Sequence, residues 1–275
     1  MAGFQWRSGQ SAFINVSGIR LETVCHGPAP GKAPTIVMLH EGLGCVDMWR
    51  DFPRLHAEAT GFGVFAWSRA GYGRSDPVGL PRPLDYMTRE ALDVLPRLLD
   101  AIEFESGILL GHSDGASIAA IYAGSVEDFR VRGLVLIAPH FFTEPGGLAS
   151  IAAAKEAYER GDLRQRLARY HEHVDVAFRG WNDAWLDPGF EAWNIADAID
   201  YLRIPVLAIQ GADDQYGTLA QIAEIEKRIH APLETVILPD CRHAPHIEQP
   251  EKALAAITEF CTRLQSIEGA AVEIR

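Results

Sequence analysis

The 275-residue chain is 48% apolar and 23% charged, a mixture that can bury a core of its own without disulfide or metal staples. No apolar run approaches the roughly 18 residues that a membrane-spanning helix needs. The 25 lysines and arginines face 37 aspartates and glutamates, a net charge of −12 with no local basic block, so nucleic acid and anionic membrane surfaces are excluded as expected partners.

At the start, residues 1–7 show no basic stretch followed by an apolar one, so no secretory leader is expected. Short apolar runs rich in β-branched residues follow at 12–16, 19–25, 35–40, 63–68, 107–111, 133–138, 206–211 and 235–238. Between them the period changes to 3.6. Met87, Leu92, Leu95, Leu98, Leu99 and Ile102 mark one helix face, and Leu254, Ile257, Phe260, Cys261 and Leu264 mark another. Strand alternating with helix predicts an α/β protein with a mainly parallel sheet covered on both faces. Residues 140–201 break the alternation. There Leu163, Leu167, Tyr170, Val174 and Phe178 form an apolar stripe, with Arg164, Arg166, Arg169 and His173 off it. This stretch reads as a helical lid inserted between two strands and resting on a core of residues 1–139 and 202–275. The cysteines Cys25, Cys45, Cys241 and Cys261 are scattered without a C-x-x-C, which gives neither a zinc ribbon nor a disulfide framework and fits a reducing cytoplasm.

The chemistry centres on Gly111-His112-Ser113-Asp114-Gly115, a G-x-S-x-G between the apolar run Ile108-Leu109-Leu110 and a small-residue helix start. A sharp strand-to-helix turn forces its serine into a strained conformation, requires glycine around it and leaves Oγ exposed beside a helix N-terminus. A serine hydroxyl is a poor nucleophile until a base takes its proton, and the base needs an orienting carboxylate. Downstream, the strand at 206–211 ends in Gly211-Ala212-Asp213-Asp214. The strand at 235–238 leads into Asp240-Cys241-Arg242-His243-Ala244-Pro245-His246. An acid and a histidine thus follow successive strands at the sheet edge where such folds keep their sites. Leu39-His40-Glu41-Gly42-Leu43-Gly44 leaves another strand, and its glycines can turn N–H groups toward the serine. The expected oxyanion hole is the N–H of Gly42 and of Asp114.

With these motifs the chain resembles the α/β-hydrolase superfamily over nearly its whole length. Gly71-Tyr72-Gly73-Arg74-Ser75-Asp76 looks like the loop after the family's fourth strand, and His243-Ala-Pro-His-Ile-Glu-Gln-Pro like its final H-x-x-x-x-E-x-P segment. The resemblance implies an α/β-hydrolase fold: a mainly parallel sheet of about eight strands, helices on both faces, and a helical lid between the sixth and seventh strands. Three positions depart from the family pattern. Glu41 stands where glycine usually follows the histidine, Arg242 replaces glycine before the final histidine, and Ser68 replaces an aspartate. Serine rather than aspartate at the elbow argues against the epoxide-hydrolase and haloalkane-dehalogenase branches.

Ser113 is therefore read as nucleophile against an ordinary turn serine, and His243 as base against His246, which instead caps a helix or lines the pocket. Asp214 is read as the acid against Asp213, since adjacent side chains diverge. The Asp114 side chain reads as a first-turn carboxylate favoured by the helix dipole. Glu41 either faces the pocket beside Leu43 or turns to solvent. Trp181, Trp185 and Trp193 are either lid-to-sheet packing or the aromatic walls of an acyl pocket. The expected substrate-binding set is Glu41, Leu43, Trp181, Trp185 and His246. His171-Glu172-His173 lacks a third ligand, and no dinucleotide fingerprint or P-loop occurs, so no metal or cofactor is expected. The expected function is a serine hydrolase that cleaves a carboxylic ester through an acyl-enzyme. A C–C hydrolase of vinylogous diketone ring-cleavage products is the alternative. A ligand-sensing receptor and a cofactor-free lyase or oxygenase on the same fold are the rivals. A carboxylate at Glu41, with the acidic background, leads us to expect neutral esters or ketones rather than strongly anionic substrates.

Overall fold

The computed structural model describes residues 4–273; residues 1–3, part of the segment read for a leader, lie outside the described residues. Each predicted apolar run becomes a strand, with ends moved by a residue or two. The strands are β1 (Ser11–Val16), β2 (Ile19–His26), β3 (Thr35–Leu39), β4 (Gly63–Trp67), β5 (Gly107–His112), β6 (Val131–Ile137), β7 (Val206–Gly211) and β8 (Leu233–Leu238). They form one sheet in the order β1-β2-β4-β3-β5-β6-β7-β8. The β1–β2 and β2–β4 pairs are antiparallel and every pair from β4 to β8 is parallel.

Side chains alternate across the central strands, and both faces are covered. Val37, Leu39, Leu109, Leu134 and Leu136 enter one core; Ile36, Met38, Ile108, Leu110, Val135 and Ile137 enter the other. Uninterrupted apolar runs are the sequence signature of strands buried on both sides. The first core is closed by α2 (Tyr86–Arg89), α3 (Leu95–Ala101) and α4 (Asp114–Ser125), the second by α1 (Phe52–Thr60) and α10 (Pro250–Glu273). A π-helical turn, Glu90–Val94, joins α2 to α3, and α8 (Ala220–Arg228) and α9 (Pro245–Glu248) complete the set outside the β6–β7 connection.

That connection folds as α5 (Pro145–Arg160), α6 (Leu163–Leu167), α7 (Val174–Trp185) and two 3-10 turns, Pro188–Phe190 and Ala196–Tyr201. The single stripe predicted along it is divided between two helices. Leu167, Val174 and Phe178 are buried, but the chain leaves helix after Leu167 and Tyr170 is left 38% exposed. Among the described residues no helix is long and apolar enough to cross a membrane. All four cysteines are free and buried.

Candidate active site

Strand β5 ends at His112 and α4 begins at Asp114, so Ser113 alone carries the reversal, at φ 53° and ψ −118°. That backbone region is costly for a residue with a Cβ and persists only where the surroundings enforce it. Here Ser113 N–H donates to Ile137 O at 2.9 Å, and its carbonyl accepts Ala116 N–H at 2.8 Å. The flanking glycines follow from crowding. A Cβ on Gly111 would lie 2.2 Å from Gly115 O, and one on Gly115 would lie 2.0 Å from Leu39 O.

The turn after β7 brings Asp214 to His243. The imidazole Nδ1 stands 2.8 Å from Oδ2 and 2.9 Å from Oδ1. Oδ1 also accepts Tyr216 N–H at 2.8 Å, and Oδ2 accepts from Gln210 Nε2 at 2.8 Å. Burial works to raise this carboxyl's pKa, but the hydrogen bond and charge of His243 and the Tyr216 N–H outweigh it and hold it below the usual range. Asp213 is exposed.

Gly42 and Asp114 both line the cavity above Ser113. Asp114 is the first residue of α4, so its N–H has no acceptor within the helix. Its carboxylate does not face water as a first-turn carboxylate would. It is fully buried, accepts the Tyr86 hydroxyl at 2.5 Å, and has its pKa raised by burial, against the pull of Arg69 and Tyr86. Trp185 Nε1–H in turn donates to the Tyr86 oxygen at 3.0 Å. A Cβ on Gly42 would lie 2.2 Å from Trp181 Cδ1, so only glycine fits between this loop and α7.

Glu41 lines the cavity rather than turning to solvent, and its Oε2 is 3.4 Å from His112 Nδ1. His112 Nε2 is 2.8 Å from the carbonyl of His243, which can only accept, so Nε2 carries hydrogen. Burial works to raise the Glu41 pKa, yet the close approach of His112 and the neighbouring His40 and His246 push it down.

The cavity measures about 110 Å³. Of the residues the sequence singled out, Ser113, Asp114, His243, Gly42, Glu41, Leu43, Trp181 and Trp185 line it. His246 does not belong to it. It is buried on α9 behind His112, packed on Trp49 and Phe52 with ring centroids 4.9 and 5.5 Å away. The histidine-rich segment turns into α9 just after His243, and this swings His246 away from the pocket. Trp193 packs on Trp185 and Phe190. His171 spends both ring nitrogens on the backbone, accepting from Gly73 N–H and bonding Leu43 O, each at 2.9 Å. Among the described residues no group of three or more His, Cys, Asp or Glu could hold a metal ion.

Sequence reasoning missed His140, Tyr216 and Ile151 in the cavity wall. The first two carried a signal. His140 follows β6 at the carboxyl edge of the sheet, and Tyr216 lies two residues after Asp214. Ile151 sits on α5 and carried none. Ser68 lies in a buried polar cluster. Glu22 of β2 brings a buried carboxylate there, with Ser68 Oγ 2.8 Å from its Oε2 and Arg74 Nε 2.6 Å from its Oε1.

The profile of the alpha/beta hydrolase family matches residues 36–257. The 3-oxoadipate enol-lactonase 1 of Acinetobacter baylyi is 24% identical over 94% of this chain and 96% of its own length. The human serine hydrolase BPHL is 32% identical over 49% of this chain and 45% of its own. The crystal structure of the enol-lactonase from Burkholderia xenovorans superposes with a TM-score of 0.71 at 20% identity, covering 91% of this chain and all of that one (100%). The chain belongs to the alpha/beta hydrolase family.

Proposed function

We propose that the protein is a cofactor-free serine hydrolase of carboxylic esters. The observation that carries this reading is the Asp214–His243 hydrogen bond opening onto the same cavity as Ser113, whose strained backbone presents it there. Ser113 Oγ attacks the ester carbonyl while His243 Nε2 takes its proton. Asp214, bonded to Nδ1, fixes the tautomer and stabilises the imidazolium. The N–H groups of Gly42 and Asp114 receive the oxyanion. The tetrahedral adduct collapses, the leaving alkoxide takes the proton from His243, and water then attacks the acyl-enzyme with His243 again as base. One relative is an enol-lactonase, and a lactone is a cyclic ester, which favours C–O cleavage over the C–C alternative. Residues 140–201 serve as the lid, with Trp181 and Trp185 as the acyl wall. Four free, buried cysteines suit the cytoplasm.

The test is Ser113→Ala, assayed on p-nitrophenyl esters and with a fluorophosphonate probe. It should lower kcat by about 10³-fold or more while leaving the thermal midpoint nearly unchanged. The wild-type protein should take up the probe and the variant should not; labelling that persists in Ser113→Ala overturns the assignment.

A further inference from the structure

The peptide between Glu41 and Gly42 is held by an unusual number of donors. Its carbonyl, Glu41 O, accepts from His40 Nδ1 at 2.7 Å, from Arg69 Nη2 at 3.0 Å and from Gly44 N at 3.1 Å. Arg69 Nη1 also donates to the preceding carbonyl, His40 O, and Arg69 N–H donates to His40 Nε2 at 2.9 Å. The last bond makes Nε2 an acceptor and so places the ring hydrogen on Nδ1, where it meets Glu41 O. Arg69 itself is 1% exposed, and its guanidinium lies over the Tyr72 ring.

A trans peptide is planar, with its C=O and N–H pointing in opposite directions. Fixing Glu41 O toward Arg69 therefore points the Gly42 N–H the other way. Gly42 lines the cavity, and among the described residues nothing is hydrogen-bonded to its N–H. A buried guanidinium is a costly way to fill this space, since its charge must leave water and an apolar side chain of similar volume can pack as well. Its nearest carboxylate, Asp114 Oδ2, is 3.9 Å away, so charge pairing is the looser of its contacts. The close contacts are the two carbonyls of the loop.

We propose that Arg69 is a positioning residue for the oxyanion hole: it clamps the carbonyls of His40 and Glu41 so that the Gly42 N–H is turned into the cavity before substrate arrives. The inference rests on the reading of Ser113 as nucleophile. The same arginine approaches Asp114, whose N–H is the second donor, and Asp114 is tied through Tyr86 to Trp185 of α7. The hole and the helical wall above it are thus built on one buried network.

The test compares Arg69→Met and Arg69→Lys with wild type on p-nitrophenyl esters. Loss of one oxyanion donor should lower kcat by about 10²-fold in Arg69→Met while KM stays within about threefold. Arg69→Lys can reach one carbonyl and should recover about tenfold of that loss. A folded variant with wild-type kcat, or one that loses only KM, overturns the clamp. A crystal structure of either variant should show the 41–42 peptide rotated; an unmoved peptide also overturns it. If neither variant folds, ¹⁵N-labelled wild type decides. A phenylboronic acid adduct on Ser113 should move the Gly42 amide proton downfield, and an adduct that leaves this resonance in place rejects the proposal. Absence of any adduct, with no ester turnover in wild type, counts against the serine-hydrolase reading instead, and the orientation of the peptide in the variants still judges the clamp.

Discussion

Asp213 and Asp214 are chemically identical neighbours in very different surroundings. The Asp214 carboxylate meets three donors within 2.9 Å, Gln210 Nε2, the Tyr216 N–H and His243 Nδ1, while Asp213 stands exposed. Asp214→Asn should lower kcat by about 10²-fold or more, because the amide no longer compensates the imidazolium. Asp213→Asn should stay within about twofold of wild type, as a surface change away from the reacting atoms. Steady-state kinetics on one ester decide this, and the reverse order would move the acid by one residue. At this scale the proposed order of serine, acid and histidine was read from three motifs, each of which follows a strand. The place of His246 was not. Two histidines three residues apart carry the same chemistry, and only the path into α9 sends one to the cavity and the other behind it. Arg69 was equally invisible, since its partners are backbone carbonyls that any residue supplies.

Helix α7 brings Trp181 and Trp185 to the cavity, and the alternatives of packing and pocket wall merge at this scale. Trp185 touches Phe190 and Trp193 on one side and lines the cavity on the other. Trp181 lies on the backbone of Gly42. Trp181→Leu opens space directly over the expected acyl position. It should raise kcat/KM for a bulky aromatic ester relative to an acetate ester by about 1–3 kcal/mol, or roughly 5- to 150-fold. An unchanged ratio, with only a lower thermal midpoint, would leave this side chain to packing alone. The helical character of the β6–β7 connection was legible from its 3.6 period. Its break after Leu167 was not, because the apolar spacing continues through residues 168–173 although the backbone does not.

The molecule as a whole buries histidines that its unfolded chain would protonate. Burial holds His56 and His140 down to about 3, His140 with help from the charge of His243. Both ring nitrogens of His56 lack a hydrogen-bond partner. Between that value and the unfolded histidine value of about 6.5, the unfolded state binds more protons, so stability falls as pH falls through this window. From pH 7 to pH 5 each of these two histidines should cost about 2 kcal/mol of unfolding free energy. The lowered carboxyl of Asp214 acts in a separate window, its contribution being lost only below about pH 4. Denaturant titrations at pH 7 and pH 5 measure the first effect, and His56→Leu should reduce the drop by about 2 kcal/mol. A drop of the same size in His56→Leu would exclude a neutral, buried His56 as its source.

The sequence by itself determined the sheet, the layered covering of both its faces and the serine elbow, because these depend on local periodicity and on steric limits that operate within a few residues. Strands buried on both sides must be continuously apolar, and a one-residue reversal must be flanked by glycine. Tertiary structure alone decided which groups meet across long separations. It paired Glu41 with His112, set Glu22 beside Ser68, drew Arg69 under the Glu41–Gly42 peptide and tied Asp114 through Tyr86 to Trp185. Each of these contacts joins side chains or carbonyls from different elements in a dry interior, where partner and orientation follow from how the elements pack and no spacing along the chain records them.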